Sequence, residues 1–170
     1  WMGDRAGRTA TTASYNVGIG ANVHETVTTG RFNVAFGHYA GAAITDGEQN
    51  VCIGYTAGRH LGSTENTVCI GRGAASQGVG HRCVVIGQQA SSTGSTGEDN
   101  VVIGSLAYTY NASSDDSVVI GARAGFLVTS GDRNIFLGAN AGDNANFAGA
   151  VSDKIVISGH DTGVPIIEGT

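Results

Sequence analysis

The sequence predicts an all-β fold, a parallel β-roll or β-helix solenoid of about eight coils of 17 residues. Three observations predict it. A short phrase returns at nearly constant spacing, its glycines Gly20, Gly37, Gly54, Gly71, Gly87, Gly104, Gly121 and Gly138 following at steps of 17, 17, 17, 16, 17, 17 and 17 residues. Each glycine is preceded by β-branched or bulky residues at spacing two, as in Asn100-Val101-Val102-Ile103-Gly104, the pattern of a short strand. The 170 residues include 28 Gly and one Pro without the G-X-Y period of collagen, a composition that suits tight coils and opposes helix. Units this small cannot bury an apolar face alone, so neighbours must stack.

Residues 1–15 show no clear unit and read as a connector from an upstream region. The opening Trp1-Met2-Gly3-Asp4 lacks the regions of a signal peptide and reads as the cut end of a longer protein. The repeat fills 16–153. Its starter residues are Asn16, Asn33, Asn50, Thr67, Cys83, Asn100, Ser117 and Asn134, and the asparagine amides are expected to hydrogen-bond along the stack. Valine follows, from Val17 to Val118, with Ile135 last; the residue before the glycine is Ile, Phe36 or Leu137. Between these two columns, on the opposite face of the strand, run Gly18, Ala35, Cys52, Cys69, Val85, Val102, Val119 and Phe136, apolar throughout and growing in size.

A middle column facing water would carry Thr, Lys or Glu. It is therefore expected to meet other copies of the chain around a threefold axis, with Ala35, Cys52, Cys69, Val85, Val102, Val119 and Phe136 as the core of a homotrimer whose axis widens along its length. Past the glycine come two variable residues and then a small apolar one, Val23, Ala40, Ala57, Ala74, Ala90, Ala107, Ala124 or Ala141, at a tight corner or a second interior contact. The phase slips after Gly138. Residues 154–170 form an altered last coil and exit: a ninth strand at Lys154–Ser158, then Gly163-Val164-Pro165-Ile166-Ile167-Glu168 around the single proline.

The net charge of −5 argues against nucleic acid, and no apolar run approaches the ~18 residues of a membrane span, so neither partner is expected. Cys52, Cys69 and Cys83 are odd in number, show no C-x-x-C, and read as small apolar fillers. His24, His38, His60, His81 and His160 occupy five different places in the repeat and form no H-x-x-x-H pair, so no metal ligand or general base is assigned. Gly71-Arg72-Gly73 and Gly78-Val79-Gly80 do not open helices and carry no phosphate-loop signal. A row of Glu48, Glu65, His81, Glu98, Asp115 and Asp132 must face water, pair with basic groups such as Arg82, Arg133 or Lys154, or share cations; a solvated edge is favoured over a calcium row. No catalytic residue, cofactor or metal is expected. The enzyme alternative is a left-handed β-helix acyltransferase, whose hexapeptide pattern Ile53-Gly54-Tyr55-Thr56-Ala57-Gly58 fits; only one hexad per coil matches, where those enzymes repeat it on all three sides.

The phrase N-x-x-I-G-x-x-A-G, intact in Asn50 to Gly58 and nearly so in Asn33 to Gly41 and Ser117 to Gly125, resembles repeats of bacteriophage tail fibres. It is also similar to the S-V-A-I-G-x-x-A units of trimeric autotransporter adhesin heads. The ending Gly163-Val164-Pro165-Ile166-Ile167-Glu168-Gly169 resembles the G-T-P-L-I-E-G that closes such fibre segments. The resemblance implies a homotrimeric head or tip of a virion fibre or cell-surface fibre, one that adheres without catalysis to a glycan or envelope receptor on a target cell. No binding residue is fixed by the motif. Recognition is expected in the variable positions, where aromatic rings can stack on sugars: His38, Tyr39, Tyr55, Tyr108 and Tyr110. A passive shaft segment is the structural alternative.

Overall fold

The computed structural model describes residues 1–95, 97–143 and 147–158, together with the backbone of Ile167–Gly169. It is a parallel β-solenoid of about eight turns. Each repeat contributes a three-residue strand: β1 Val17–Ile19, β2 Val34–Phe36, β3 Val51–Ile53, β4 Val68–Ile70, β5 Val84–Ile86, β6 Val101–Ile103 and β7 Val118–Ile120. After β8 (Val128–Ser130) come β9 (Ile135–Leu137), β10 (Gly149–Ala150), β11 (Ile155–Ile157) and β12 (Ile167–Gly169). One ten-stranded sheet runs β1-β2-β3-β4-β5-β6-β7-β9-β11-β12, while β8 and β10 pair separately. Register is one full coil at every step, so Val51 lies between Val34 and Val68 and Cys52 between Ala35 and Cys69. Like therefore stacks on like along the whole sheet.

The faces of the strands are the reverse of the expectation. Ala35, Cys52, Cys69, Val85, Val102, Val119 and Phe136 are at most 1% exposed in the single chain, so they fill the inside of its own coil and cannot form a core between chains. The reason lies in the corner that follows. The alanine column, from Ala40 to Ala141, is also fully buried and closes over the middle column, which leaves room only for small or medium side chains between them. The growth in size is matched across this interior. Trp1 occupies the space over Gly18, where a Cβ would approach its ring to 2.7 Å, and Gly142 yields to Phe136, whose Cε1 would lie 2.6 Å from an added Cβ. The graded column thus reports the filling of one coil, and no widening axis.

The valine and isoleucine columns point outward instead. Val17, Ile19, Phe36, Ile53, Ile120 and Ile155 are exposed, and their counterparts in the same columns are half-buried by their own neighbours. Neither column contains a charged or polar residue from β1 to β11. The solenoid therefore presents one flat, apolar face.

The starter asparagines hold the coils in register. Asn33 Oδ1 accepts from the backbone N–H of Asn50 at 2.9 Å while its Nδ2 donates to the Gly47 carbonyl at 2.8 Å. Asn50 repeats this with the N–H of Thr67 at 3.0 Å and the Thr64 carbonyl at 2.6 Å. The expected amide ladder is thus mostly a side-chain-to-backbone clamp, which satisfies donors and acceptors buried inside the coil; one amide-to-amide bond joins Asn50 to Asn33 at 3.1 Å. Thr67, Ser117 and Cys83 make weaker versions of the same contacts. The glycine column is required by close approach as well as by conformation. Gly54 has φ 130°, and a Cβ there would lie 2.7 Å from the Gly71 carbonyl oxygen of the next coil.

Both ends depart from the expected boundaries. Residues 1–15 are no connector: Met2 bridges Ile19 in parallel, its N–H donates to the Gly18 carbonyl at 2.8 Å, and Gly3 has φ 136°, as the repeat glycines do. This stretch is a further coil, in phase with the rest. At the other end, Lys154–Ser158 forms the expected extra strand, β11 pairing with β9 in parallel across a longer step. β12 then pairs antiparallel with β11 and ends the parallel order. Residues 163–166 of the closing phrase, and His160, lie outside the described residues.

Candidate recognition surface

Beyond the glycine corner the coil turns through left-handed backbone, and this geometry decides which side chains reach the surface. The first residue after the glycine points out, giving a column of His38, Tyr55, Arg72 and Gln88, all exposed. The second residue adopts φ near +55°, as Tyr39 (56°), Thr56 (54°) and Gln89 (54°) show, and Gly73 (70°) is the glycine among them. Parallel stacking brings the aromatic members of the two columns together. His38 stacks on Tyr55 with ring centroids 5.5 Å apart and meets Tyr39 edge-on at 4.3 Å, while the Arg59 guanidinium lies over the Tyr39 ring at 4.9 Å. Three of the five proposed ligand contacts are thus one cluster, with Tyr55 53% exposed.

The other two are not part of it. Tyr108 is 1% exposed and belongs to the core: the fourth position after the glycine turns its side chain inward, where the hydroxyl donates to Ser114 Oγ at 3.1 Å. A buried, hydrogen-bonded tyrosine offers no ring to a ligand, so its candidacy is withdrawn. Tyr110 is exposed but sits in a separate cluster, edge-on to Phe126 at 5.0 Å, with Arg123 over the Phe126 ring at 4.1 Å.

Next to Tyr55 the surface opens into a cleft of about 270 Å³. Tyr55, Thr56, Arg72, Gly73 and Gln89 line it. Ser76 and Ser92 bring hydroxyl groups to the same cleft, and Ser76 Oγ donates to the Ser92 carbonyl at 3.3 Å. The absent side chain of Gly73 makes the opening, since an added Cβ would meet only Gln89 Cγ, at 3.5 Å. Sequence inspection by residue type missed Arg72, Gly73 and Gln89. Reading down the columns would have found them, because they continue the positions of His38, Tyr55 and Tyr39.

Elsewhere several charges are paired along the stack. Arg31 meets Glu48 at 3.0 Å, Arg82 bridges Asp99 in two-point fashion (2.7 and 2.8 Å) and Glu98, and Arg133 meets Asp153 at 2.7 Å. The Arg82 hydrogen bonds hold the Asp99 carboxyl below the ordinary aspartate range, and Arg133 does the same to Asp153. Row members also cap backbone of the preceding coil, Asp115 Oδ1 accepting from the Glu98 N–H at 2.8 Å. Among the described residues no three His, Cys, Asp or Glu side chains gather as a metal cluster. The buried Cys69 thiol is pushed well up by its hydrogen bond with Cys52 and by desolvation, which leaves it protonated and unreactive. Among the described residues no helix is long and apolar enough to cross a membrane. Comparison of the chain with protein-family models, with curated proteins and with solved structures finds no match.

Proposed function

We propose that this chain is a segment of a homotrimeric surface fibre, on a virion or a cell, that adheres to a glycan or envelope component of a target cell and catalyses nothing. The observation that carries the reading is the outward face of valine and isoleucine, unbroken by any charge from β1 to β11. At about 3.3 Å per residue and about 4.8 Å per strand, this face measures roughly 10 by 43 Å. An apolar patch of some 400 Å² matches the largest patch on a typical monomer, ~300–600 Å², which is often functional. Three such faces around an axis remove about 1,300 Å² from water in all, or roughly 430 Å² per pair of chains, so the face is the apolar centre of a contact whose remaining area must come from the flanking loops. Identical coils in constant register favour copies of the same chain as the occupants, since only a partner with the same repeat matches every row.

Packing through that face leaves the His38–Tyr55 cluster and the Gly73 cleft, which lie beyond the glycine corner, on the outside of the fibre. The acyltransferase alternative has an observation against it. That pattern places a hexad on all three sides of a coil, and this coil has one continuous sheet. Adsorption of the labelled chain to a panel of bacterial cells and to a glycan array tests the adhesive part. Saturable binding weakened several-fold by Tyr55→Ala supports it; an absence of binding to every cell and glycan, with the trimer intact, leaves a passive shaft.

A further inference from the structure

We propose that the cleft over Gly73 is a subsite for a sugar bearing a carboxylate, with Tyr55 as the stacking platform and Arg72 as the counter-ion. This deepens the reading that the chain recognises glycans, and rests on it. Five of the eight arginines are paired along the stack. Arg8, Arg31, Arg82, Arg123 and Arg133 each bond a carboxylate a coil away, at 3.4, 3.0, 2.7, 2.9 and 2.7 Å. Arg72, like Arg5 and Arg59, forms no ion pair among the described residues; unlike Arg59, which lies over the Tyr39 ring, it borders a cleft, and the lining of that cleft contains no Asp or Glu, in a chain with 14 of them and a net charge of −5. An exposed guanidinium beside an acid-free cleft is a place where the carboxylate is left for a ligand to supply, and its planar fork suits two-point recognition of one.

The remaining lining fits the rest of a sugar. One face of the Tyr55 ring is backed by His38, which holds it in plane, and no guanidinium covers Tyr55 among the described residues, whereas Tyr39 and Phe126 each carry one. A sugar ring presents C–H groups to such a surface. Thr56, Ser76, Ser92 and Gln89 offer hydroxyl and amide groups to the sugar hydroxyls. At about 270 Å³ the cleft is just below the ~300–1,000 Å³ of drug-sized pockets, room for one or two rings.

The test uses the whole chain on an array of uronic-acid- and sialic-acid-bearing glycans beside their neutral counterparts, with dissociation constants then measured for the matched pair giving the strongest signal. The wild type is expected to bind the acidic member about tenfold or more tightly than the neutral one. Arg72→Gln should abolish that preference, and Tyr55→Ala should weaken both members while Tyr55→Phe leaves them unchanged. Gly73→Gln should block the cleft without unfolding the coil, since Thr56 and Gln89 adopt the same backbone conformation on either side; unchanged circular dichroism checks this. Equal binding of acidic and neutral glycans, or acidic binding unaffected by Arg72→Gln and Gly73→Gln, overturns the subsite while glycan recognition stands. If no glycan binds, the recognition reading falls with it.

Discussion

At the scale of single residues, the solenoid is governed by where an atom has no room and where a polar atom has no partner. Gly54 illustrates the first. Gly54→Ala places a Cβ 2.7 Å from the Gly71 carbonyl oxygen at φ 130°, and it should cost about 2–3 kcal/mol, read as a lowered denaturation midpoint. His24 illustrates the second. It is fully buried, both ring nitrogens lack a hydrogen-bond partner among the described residues, and its ring meets Trp1 edge-on at 5.1 Å. Desolvation, with a smaller contribution from the N-terminal amino group, lowers its pKa from 6.5 to about 4. Because the unfolded chain takes up this proton first, stability should fall as pH drops from 6.5 toward 4 and level off below. Asp99 and Asp153, held by Arg82 and Arg133 below the ordinary aspartate range, act only further down. Denaturant midpoints at pH 7 and pH 4.5 should therefore differ for the wild type, and the difference should shrink in His24→Leu. An unchanged pH dependence in that variant would remove His24 as its source.

At the scale of the coil, the period and the strands were legible in the sequence, and the facing of the strands was not. Every strand from β1 to β7, and β9, lies on the V-x-I phrase or its variants V-A-F and I-F-L, because β-branched and bulky residues at spacing two ahead of Gly have few other ways to fold. Facing is read from a contrast between apolar and polar sides, and here both sides are apolar. The usable signal was size: Gly18, Ala35, Cys52 and Cys69 are too small to build an interface and well suited to a narrow interior. The coil at 1–15 was missed because Trp1 and Met2 replace the usual pair, although Gly3 and Ala6 keep the glycine and alanine columns. The inward turn of Tyr108 was missed because the residue was read singly; its column holds Gly41, Gly58, Gly125 and Gly142 at the same left-handed φ, which marks the position down the stack. The asparagine clamp is the testable device at this scale. Asn50→Ala leaves the Thr67 N–H and the Thr64 carbonyl without partners inside the coil, a loss of roughly 3 kcal/mol by chemical denaturation. Asn50→Thr, matching what Thr67 does one coil on, should cost less than half of that.

At the scale of the whole molecule, the account turns on the outward valine and isoleucine face. A single chain with this face in water exposes an uninterrupted apolar stripe, a patch of the kind that is often functional. The proposed packing of copies of the chain on a common axis would account for both its lack of charge and its row-by-row repetition, and would turn the aromatic cluster and the Gly73 cleft to the exterior. Interior and exterior columns give opposite predictions for lysine. Val102→Lys buries a charge inside the coil and should unfold the chain whatever its assembly state. Ile53, at 38% exposed, can carry a lysine in an isolated chain, so Ile53→Lys together with Ile120→Lys should spare the coil and break only the assembly. The most direct measurement is the solution mass by light scattering of the parent chain and of this double variant, each with its circular dichroism. The account predicts three times the chain mass of 17.1 kDa for the parent and a folded single chain for the variant. A parent that is monomeric at high concentration, or a double variant that keeps the parent's trimeric mass, would contradict it.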